Sequence, residues 1–196
     1  MTIHFYDENA EQYAALTVKA DMSQTYERFL ACMPKGAHIL DAGCGSGRDS
    51  LYFMQQGYIV TMLDASSGMC RCAEKLTGQP TLHKTFAEID FKKQFDGIWA
   101  CASLLHVHEE EFVHVLSVFC RALKDEGILY ASWKYGEGER QDGARFYCDM
   151  TEAKLKLLLQ RENEFACKEV WVSEDVLPIG RKQKWLNVIL EKVFMR

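Results

Sequence analysis

Ile39-Leu40-Asp41-Ala42-Gly43-Cys44-Gly45-Ser46-Gly47-Arg48-Asp49 is the stretch on which the reading of this chain turns. An apolar run enters Asp41, glycine follows at 43, 45 and 47, and a helical pattern begins near Gly47. Glycine accepts positive φ and lets backbone come close to a ligand. A helix that starts here points its free N–H groups back at the same spot. The stretch therefore predicts a ligand site at the carboxyl end of the first strand of an open α/β sheet. A dinucleotide fingerprint, G-x-G-x-x-G, fits Gly43 and Gly45 but meets Arg48 where its third glycine is required. Asp41 also suits an ammonium group and repels a diphosphate. A simple strand-to-helix turn explains one glycine, not three beside an acid.

Reading outward, the pattern alternates strands and helices. Phe5–Tyr13 opens a short helix, with Asp7 as its N-cap. Met22–Met33 reads as a second helix with Tyr26, Phe29, Leu30 and Met33 on one face. Ala37–Asp41 is the first strand, and Ser50–Gln56 carries the helix after the glycines. Tyr58–Leu63 is a continuous apolar run, as expected of a parallel strand covered on both faces. It ends at Asp64, an acid placed to accept both hydroxyls of a ribose. Helix Ser67–Leu76, short strand Thr81–Thr85 and strand Phe95–Ala100 follow. Glu109–Leu123 is an amphipathic helix with Phe112, Val115, Leu116, Phe119 and Leu123 in one stripe. Gly127–Trp133 is a strand rich in β-formers, and Lys134–Arg145 is the most loop-like stretch. Thr151 caps a further helix, and Phe165–Val172 and Lys184–Val193 read as closing strands joined through Pro178-Ile179-Gly180-Arg181.

The Asp-x-Gly-x-Gly-x-Gly spacing of residues 41–47 resembles motif I of the class I S-adenosylmethionine-dependent methyltransferases. Asp64 and Phe95-Asp96 before an apolar strand are similar to later motifs of that family, as is Leu105-His106 after it. The Gly-Ser-Gly-Arg-Asp-Ser-Leu run is distantly like the small tellurite-resistance methyltransferases. The resemblance implies a Rossmann-like α/β fold: a mostly parallel seven-stranded sheet, helices on both faces, and a C-terminal antiparallel hairpin. It implies one domain over 1–196, with 1–33 as a lid of cap helices and 34–196 as the core. It implies S-adenosylmethionine as cofactor, with Asp41, Gly43, Cys44 and Gly45 at the methionine portion. Arg48 would take its carboxylate, since arginine forms charge-assisted pairs with carboxylates. Asp64 would lie at the ribose, Ala65 and Met69 would also bind the cofactor, and Phe86, Ala87 and Glu88 would lie at the adenine. Cys101 and Ala102 would border the sulfur, and Tyr13 would sit in the lid.

His106 is the candidate catalytic base, because imidazole titrates near neutrality. A hydrogen bond from His106 to backbone beside the cofactor is the other reading of the same residue. Arg140, Arg145 and Arg181, with Tyr135, Tyr147 and Trp185, suggest an anion-receptive pocket, though solvated loop charges read equally well. No metal-ligand spacing is visible.

The chain has 196 residues, 23 basic and 28 acidic, for a formal charge of −5. No basic run appears, which argues against nucleic acid and leaves a small-molecule methyl acceptor as the expected partner. The eight cysteines lie in apolar segments, and no signal peptide or spanning run is seen, so a reducing cytoplasm is expected. The oligomeric state stays open. Two rival functions remain: a nicotinamide-dependent oxidoreductase, and a non-catalytic module that binds S-adenosylmethionine or S-adenosylhomocysteine.

Overall fold

Seven strands line up side by side in the computed structural model, which describes residues 1–177 and 182–193. In chain order the elements are α1 (Thr2–Thr17), α2 (Ser23–Leu30), β1 (His38–Ala42), α3 (Arg48–Gln55), β2 (Ile59–Asp64), α4 (Ser67–Thr77) and β3 (Thr81–His83). Then come β4 (Phe95–Ala100), α5 (Phe112–Ala122), β5 (Leu123–Lys134), β6 (Glu139–Asp142), β7 (Arg145–Cys148), α6 (Glu152–Glu162), β8 (Phe165–Glu174) and β9 (Lys184–Lys192). The sheet order is β3-β2-β1-β4-β5-β9-β8. Strands β1 to β5 pair in parallel, while β9 runs antiparallel to both β5 and β8. The chain leaves β1 toward β2 on one side and returns to β4 on the other. A crevice opens at such a switch point, at the carboxyl ends of the strands.

Strand alternation sorts the side chains to two faces. Leu40, Ala42, Ile98 and Ala100 join α5 and α6 in one core cluster. Ile39 and Trp99 join Tyr26 and Phe29 of α2 and Phe53 of α3 in the other, and α4 adds Ala73 against Met62 on that side. Parallel strands covered on both faces need no polar alternation, which is why β1, β2 and β4 read as near-continuous apolar runs.

Three expectations change. Helix α1 runs from Thr2, with Met1 at its N-cap, so Asp7 lies inside it. The Asp7 carboxylate caps a different helix: it accepts from Ser66 Oγ (2.8 Å), Ser67 Oγ (3.1 Å) and Gly68 N (2.9 Å) at the start of α4. An aspartate inside a helix loses nothing by pointing outward to orphan N–H groups of a neighbour. The approach is close, since a Cβ on Gly68 would stand 2.9 Å from Ala10 Cβ. Second, much of the Lys134–Arg145 stretch is not loop: β6 and β7 form a separate antiparallel hairpin around Gly143. Third, β8 extends to Glu174, opposite Lys184. The turn expected through Pro178–Arg181 lies outside the described residues.

Candidate active site

A cavity of about 1360 Å³ opens at the carboxyl ends of β1, β2 and β4, with α1 across it. Its floor is the glycine turn. Gly43 has φ of +82°, and a Cβ there would stand 2.5 Å from Ser103 Cβ, so only glycine fits. The amides of Gly43 and Cys44 both donate to Leu63 O, at 2.8 and 2.9 Å. The turn after β1 is thereby fastened to the end of β2.

Asp64 completes that junction. Its Oδ2 accepts from Gly45 N (2.9 Å) and its Oδ1 from Ser66 N (2.8 Å). Burial pushes its pKa up, and these two amides oppose the rise. Each carboxylate oxygen keeps a further lone-pair direction for a hydroxyl in the cavity. The capping of α4 falls to Ser66, whose Oγ accepts from Met69 N at 3.1 Å. Asp64 is therefore not spent as a helix cap. Ala65, Met69, Phe86 and Ala87 line the same region. Phe86 also packs edge-on against Phe119, with centroids 5.4 Å apart.

Of the two acids at the glycine turn, Asp41 does not take its expected place on the cavity lining and Asp49 does lie there. Asp41 shares its face of β1 with Ile39, so its side chain turns toward α3 and not into the cavity. It is 2 % exposed, accepts from Ser50 Oγ at 2.6 Å, and does not line the cavity. Burial first, then the charge of Asp49, raises its pKa well above the carboxylate range. Asp49 does line the cavity. It accepts from Tyr26 Oη (2.5 Å), Trp99 Nε1 (2.7 Å) and Arg48 Nε (2.5 Å). Burial alone would raise its pKa, but the Arg48 charge and these donors hold it below the ordinary value. Arg48 lines the cavity as well, with Nη1 donating to Thr17 O at the end of α1 (3.2 Å). Its charge is thus already matched by Asp49. Glu88 is also outside the cavity lining: it is exposed and closes a capping box, accepting from Thr85 N and Oγ1 at 2.8 Å.

The opposite end is built from distant segments. His106 and Tyr6 both line the cavity, as do Tyr13, Cys101, Ala102 and Phe146. Phe146 O accepts from His106 Nδ1 at 2.6 Å. A carbonyl only accepts, so Nδ1 carries the proton and Nε2 holds the lone pair. The Tyr6 hydroxyl donates to that Nε2 at 2.9 Å. Burial lowers the His106 pKa to about 4, and the Arg145 and Lys134 charges act in the same direction. Burial likewise pushes the Cys101 thiol up to about 12, so it stays protonated. Helix α1 is fixed at this end too, since Phe146 N donates to Thr2 Oγ1 at 2.9 Å. Of the anticipated anion pocket, Arg140, Arg145 and Tyr147 do come together, and Arg181 lies outside the described residues.

Tyr6 and Asp49 were not among the site residues anticipated from sequence. The Tyr-Asp-x-x-Ala-x-x-Tyr spacing of residues 6–13 carried a signal for the first. Nothing local marked the second, because its burial depends on α2 and β4 meeting over it.

A family described as a methyltransferase domain matches residues 40–131. YqeM of Bacillus subtilis, named as a methyltransferase, is 30% identical over 143 residues, covering 67% of this chain and 58% of that protein. The malonyl-acyl-carrier-protein O-methyltransferase of Pectobacterium atrosepticum is 49% identical over 51 residues, 25% of this chain and 20% of that protein. The chain thus spans less than two thirds of the curated relatives it matches. Among solved structures, Burkholderia thailandensis 1,6-didemethyltoxoflavin-N1-methyltransferase, with 1,6-didemethyltoxoflavin and S-adenosylhomocysteine bound, superposes with a TM-score of 0.81. It shares 21% identity, covering 98% of this chain and 87% of that one. A TehB-like methyltransferase of Corynebacterium glutamicum gives 0.70 at 21% identity, over 97% and 98% of the two chains. The sheet order, its reversed strand and the glycine turn define a Rossmann-like methyltransferase fold. Residues 40–131 match the methyltransferase-domain family, and the fold is shared with a methyltransferase crystallised with S-adenosylhomocysteine.

Proposed function

We propose that this chain is an S-adenosylmethionine-dependent methyltransferase that acts on a small-molecule acceptor. The observation that carries the reading is the fastened junction of β1 and β2. Its glycine turn leaves no room for a Cβ, and the Asp64 carboxylate is pinned by two amides with lone pairs left for a ligand. That donor and acceptor set fits an adenosine ribose. When bound, S-adenosylmethionine supplies an activated methyl group on a sulfonium. The chain then contributes position and exclusion of water, which suffice for an in-line displacement.

In this reading Asp64 holds the ribose hydroxyls, Phe86 and Ala87 flank the adenine, and the turn 43–45 supports the methionine portion. Asp49 with Arg48 replaces Asp41 as the charged pair that meets the zwitterionic end. His106 acts as a neutral positioning residue and not as a base, because both ring nitrogens are engaged. Residues 1–33 serve as a lid on one domain, held to the core through Asp7, Thr2 and Thr17. The 1,6-didemethyltoxoflavin bound in the Burkholderia structure supports a small acceptor. Eight unpaired cysteines support a reducing compartment, and among the described residues no helix is long and apolar enough to cross a membrane.

Calorimetric titration with S-adenosylmethionine, S-adenosylhomocysteine and NADH tests the cofactor. Binding of the first two alone is the expected result, and binding of NADH alone overturns the reading. Binding without any methyl product across an acceptor screen would leave a non-catalytic binding module.

A further inference from the structure

The acceptor end of the cavity is backed by more positive charge than its lining uses. Tyr147 of β7 is 3 % exposed, and three cations surround its ring. Lys134 Nζ stands 3.6 Å from the ring centroid, Arg140 Cζ 4.8 Å and Arg145 Cζ 5.4 Å. Arg145 Cζ is also 4.7 Å from the Phe5 ring of α1. The Tyr147 and His106 ring centroids are 5.0 Å apart, so this cluster stands directly behind the cavity wall. Like charges this close repel unless something offsets them.

The nearby acids are largely committed. Asp149 pairs with Arg140 at 2.7 Å. Glu139 is taken by His108 and by Glu109 N. Asp142 faces Arg145 in the hairpin register but is exposed to water. Among the described residues, Lys134 and Arg145 have no carboxylate within salt-bridge distance. The aromatic faces of Tyr147 and Phe5 soften the charges without cancelling them. His106 itself is not a free base on this wall, since Phe146 O and Tyr6 occupy both of its nitrogens.

The geometry points to an acceptor that binds as a small organic anion, its acidic proton already lost, in the field of Lys134 and Arg145 beside Tyr6 and His106. This rests on the methyltransferase reading. An anion attacks with its own lone pair: the new bond to the methyl carbon forms as the carbon–sulfur bond breaks, and the released pair stays on sulfur. No proton leaves within the site, so no base is needed there. An amine acceptor would arrive as ammonium, meet like charge, and have to lose a proton to a histidine that stays neutral. The lowered pKa values of Lys134, to about 8, and of His106 agree with a positive field superimposed on burial.

The test uses three fragments of one shape, benzoate, benzamide and benzylammonium, titrated by ligand-observed NMR into the protein with S-adenosylhomocysteine present. S-Adenosylhomocysteine binding is measured first, so failure of the cofactor reading is seen separately; the present proposal falls with it. Benzoate should bind about tenfold more tightly than benzamide, as one or two partly screened charges at this range allow, and benzylammonium should bind least. Arg145→Gln and Lys134→Met should each shrink the benzoate-to-benzamide ratio while S-adenosylhomocysteine affinity holds. Two outcomes overturn the proposal: no preference for benzoate in protein that binds S-adenosylhomocysteine, or a ratio unmoved in both variants. An unmoved ratio with weakened S-adenosylhomocysteine binding would make the cluster a clamp on α1 instead.

Discussion

The two ends of the cavity are held together in different ways. The cofactor end comes from consecutive β–α units, residues 39–69, and its precision lies in backbone: positive-φ glycines, amides shared with Leu63 O, and one pinned carboxylate. The acceptor end joins Tyr6 to His106 across 100 residues and His106 to Phe146 across 40. Its precision lies in side chains. A backbone device fails abruptly when one atom is added or one charge removed. A side-chain device can lose a partner and relax. Substitutions at the first end should therefore cost more than those at the second.

The largest effect belongs to Asp49→Ala. It strips a half-buried arginine of its charge partner and leaves the Tyr26 hydroxyl and the Trp99 indole N–H, both buried, unpaired. Breaking a buried pair in this way costs about 3–5 kcal/mol. Urea denaturation should show a loss of that size. A change below about 1 kcal/mol, within the range of surface pairs, would reduce Asp49 to an ordinary ion pair. Asp64→Ala comes next, read on binding and not on stability. Two charge-assisted hydrogen bonds to a ribose should be worth about a hundredfold in S-adenosylhomocysteine affinity. Calorimetry showing near-native affinity would remove Asp64 from the ribose.

The His106 prediction probes the other end through pH. Its pKa in the folded chain is about 4, below the usual 6.5, so the unfolded chain binds the proton more readily. A depressed histidine gives stability that is present above pH 6.5 and lost as pH falls toward 4. Between pH 7 and pH 5 the loss from this residue should be about 2 kcal/mol. The carboxylates share part of that window, so the quantity to compare is wild type minus His106→Gln. Their difference should shrink on acidification. A difference that holds constant from pH 7 to pH 5 would mean that His106 is not kept neutral by burial.

These contrasts also explain what could be read beforehand. The individual strands and the glycine turn follow from periodicity and spacing, which are local, while the mostly parallel seven-stranded sheet is what the family resemblance implies. The choice between Asp41 and Asp49 is not local. Asp41 sits where strand alternation turns it beneath the turn, and that face is assigned only once the helices have packed. Asp49 becomes a buried acceptor only because Tyr26, 23 residues earlier, and Trp99, 50 residues later, converge on it. The β6–β7 hairpin was hidden for a related reason. Its strands are four residues each, polar on β6, and pair only with each other. Glu88 was expected at the adenine from the family resemblance, but its carboxylate closes a local capping box with Thr85.

Asp7→Ala should give the smallest effect and separates lid from core. Asp7 was expected to cap its own helix, and it caps α4 instead, beside the residues that follow Asp64. Its amide and hydroxyl donors hold its carboxyl below the usual range, Gly68 N foremost. Losing a cap of this kind costs about 1 kcal/mol. If the contact belonged to α4 alone, that loss would be the whole result. Because the carboxylate rides on α1, its removal also loosens the helix that crosses the cavity. S-Adenosylhomocysteine should then leave faster in stopped-flow displacement, while its association rate changes little. An unchanged dissociation rate beside the stability loss would show α1 to be a fixed wall, and the two ends of the cavity would then differ in construction but not in mobility.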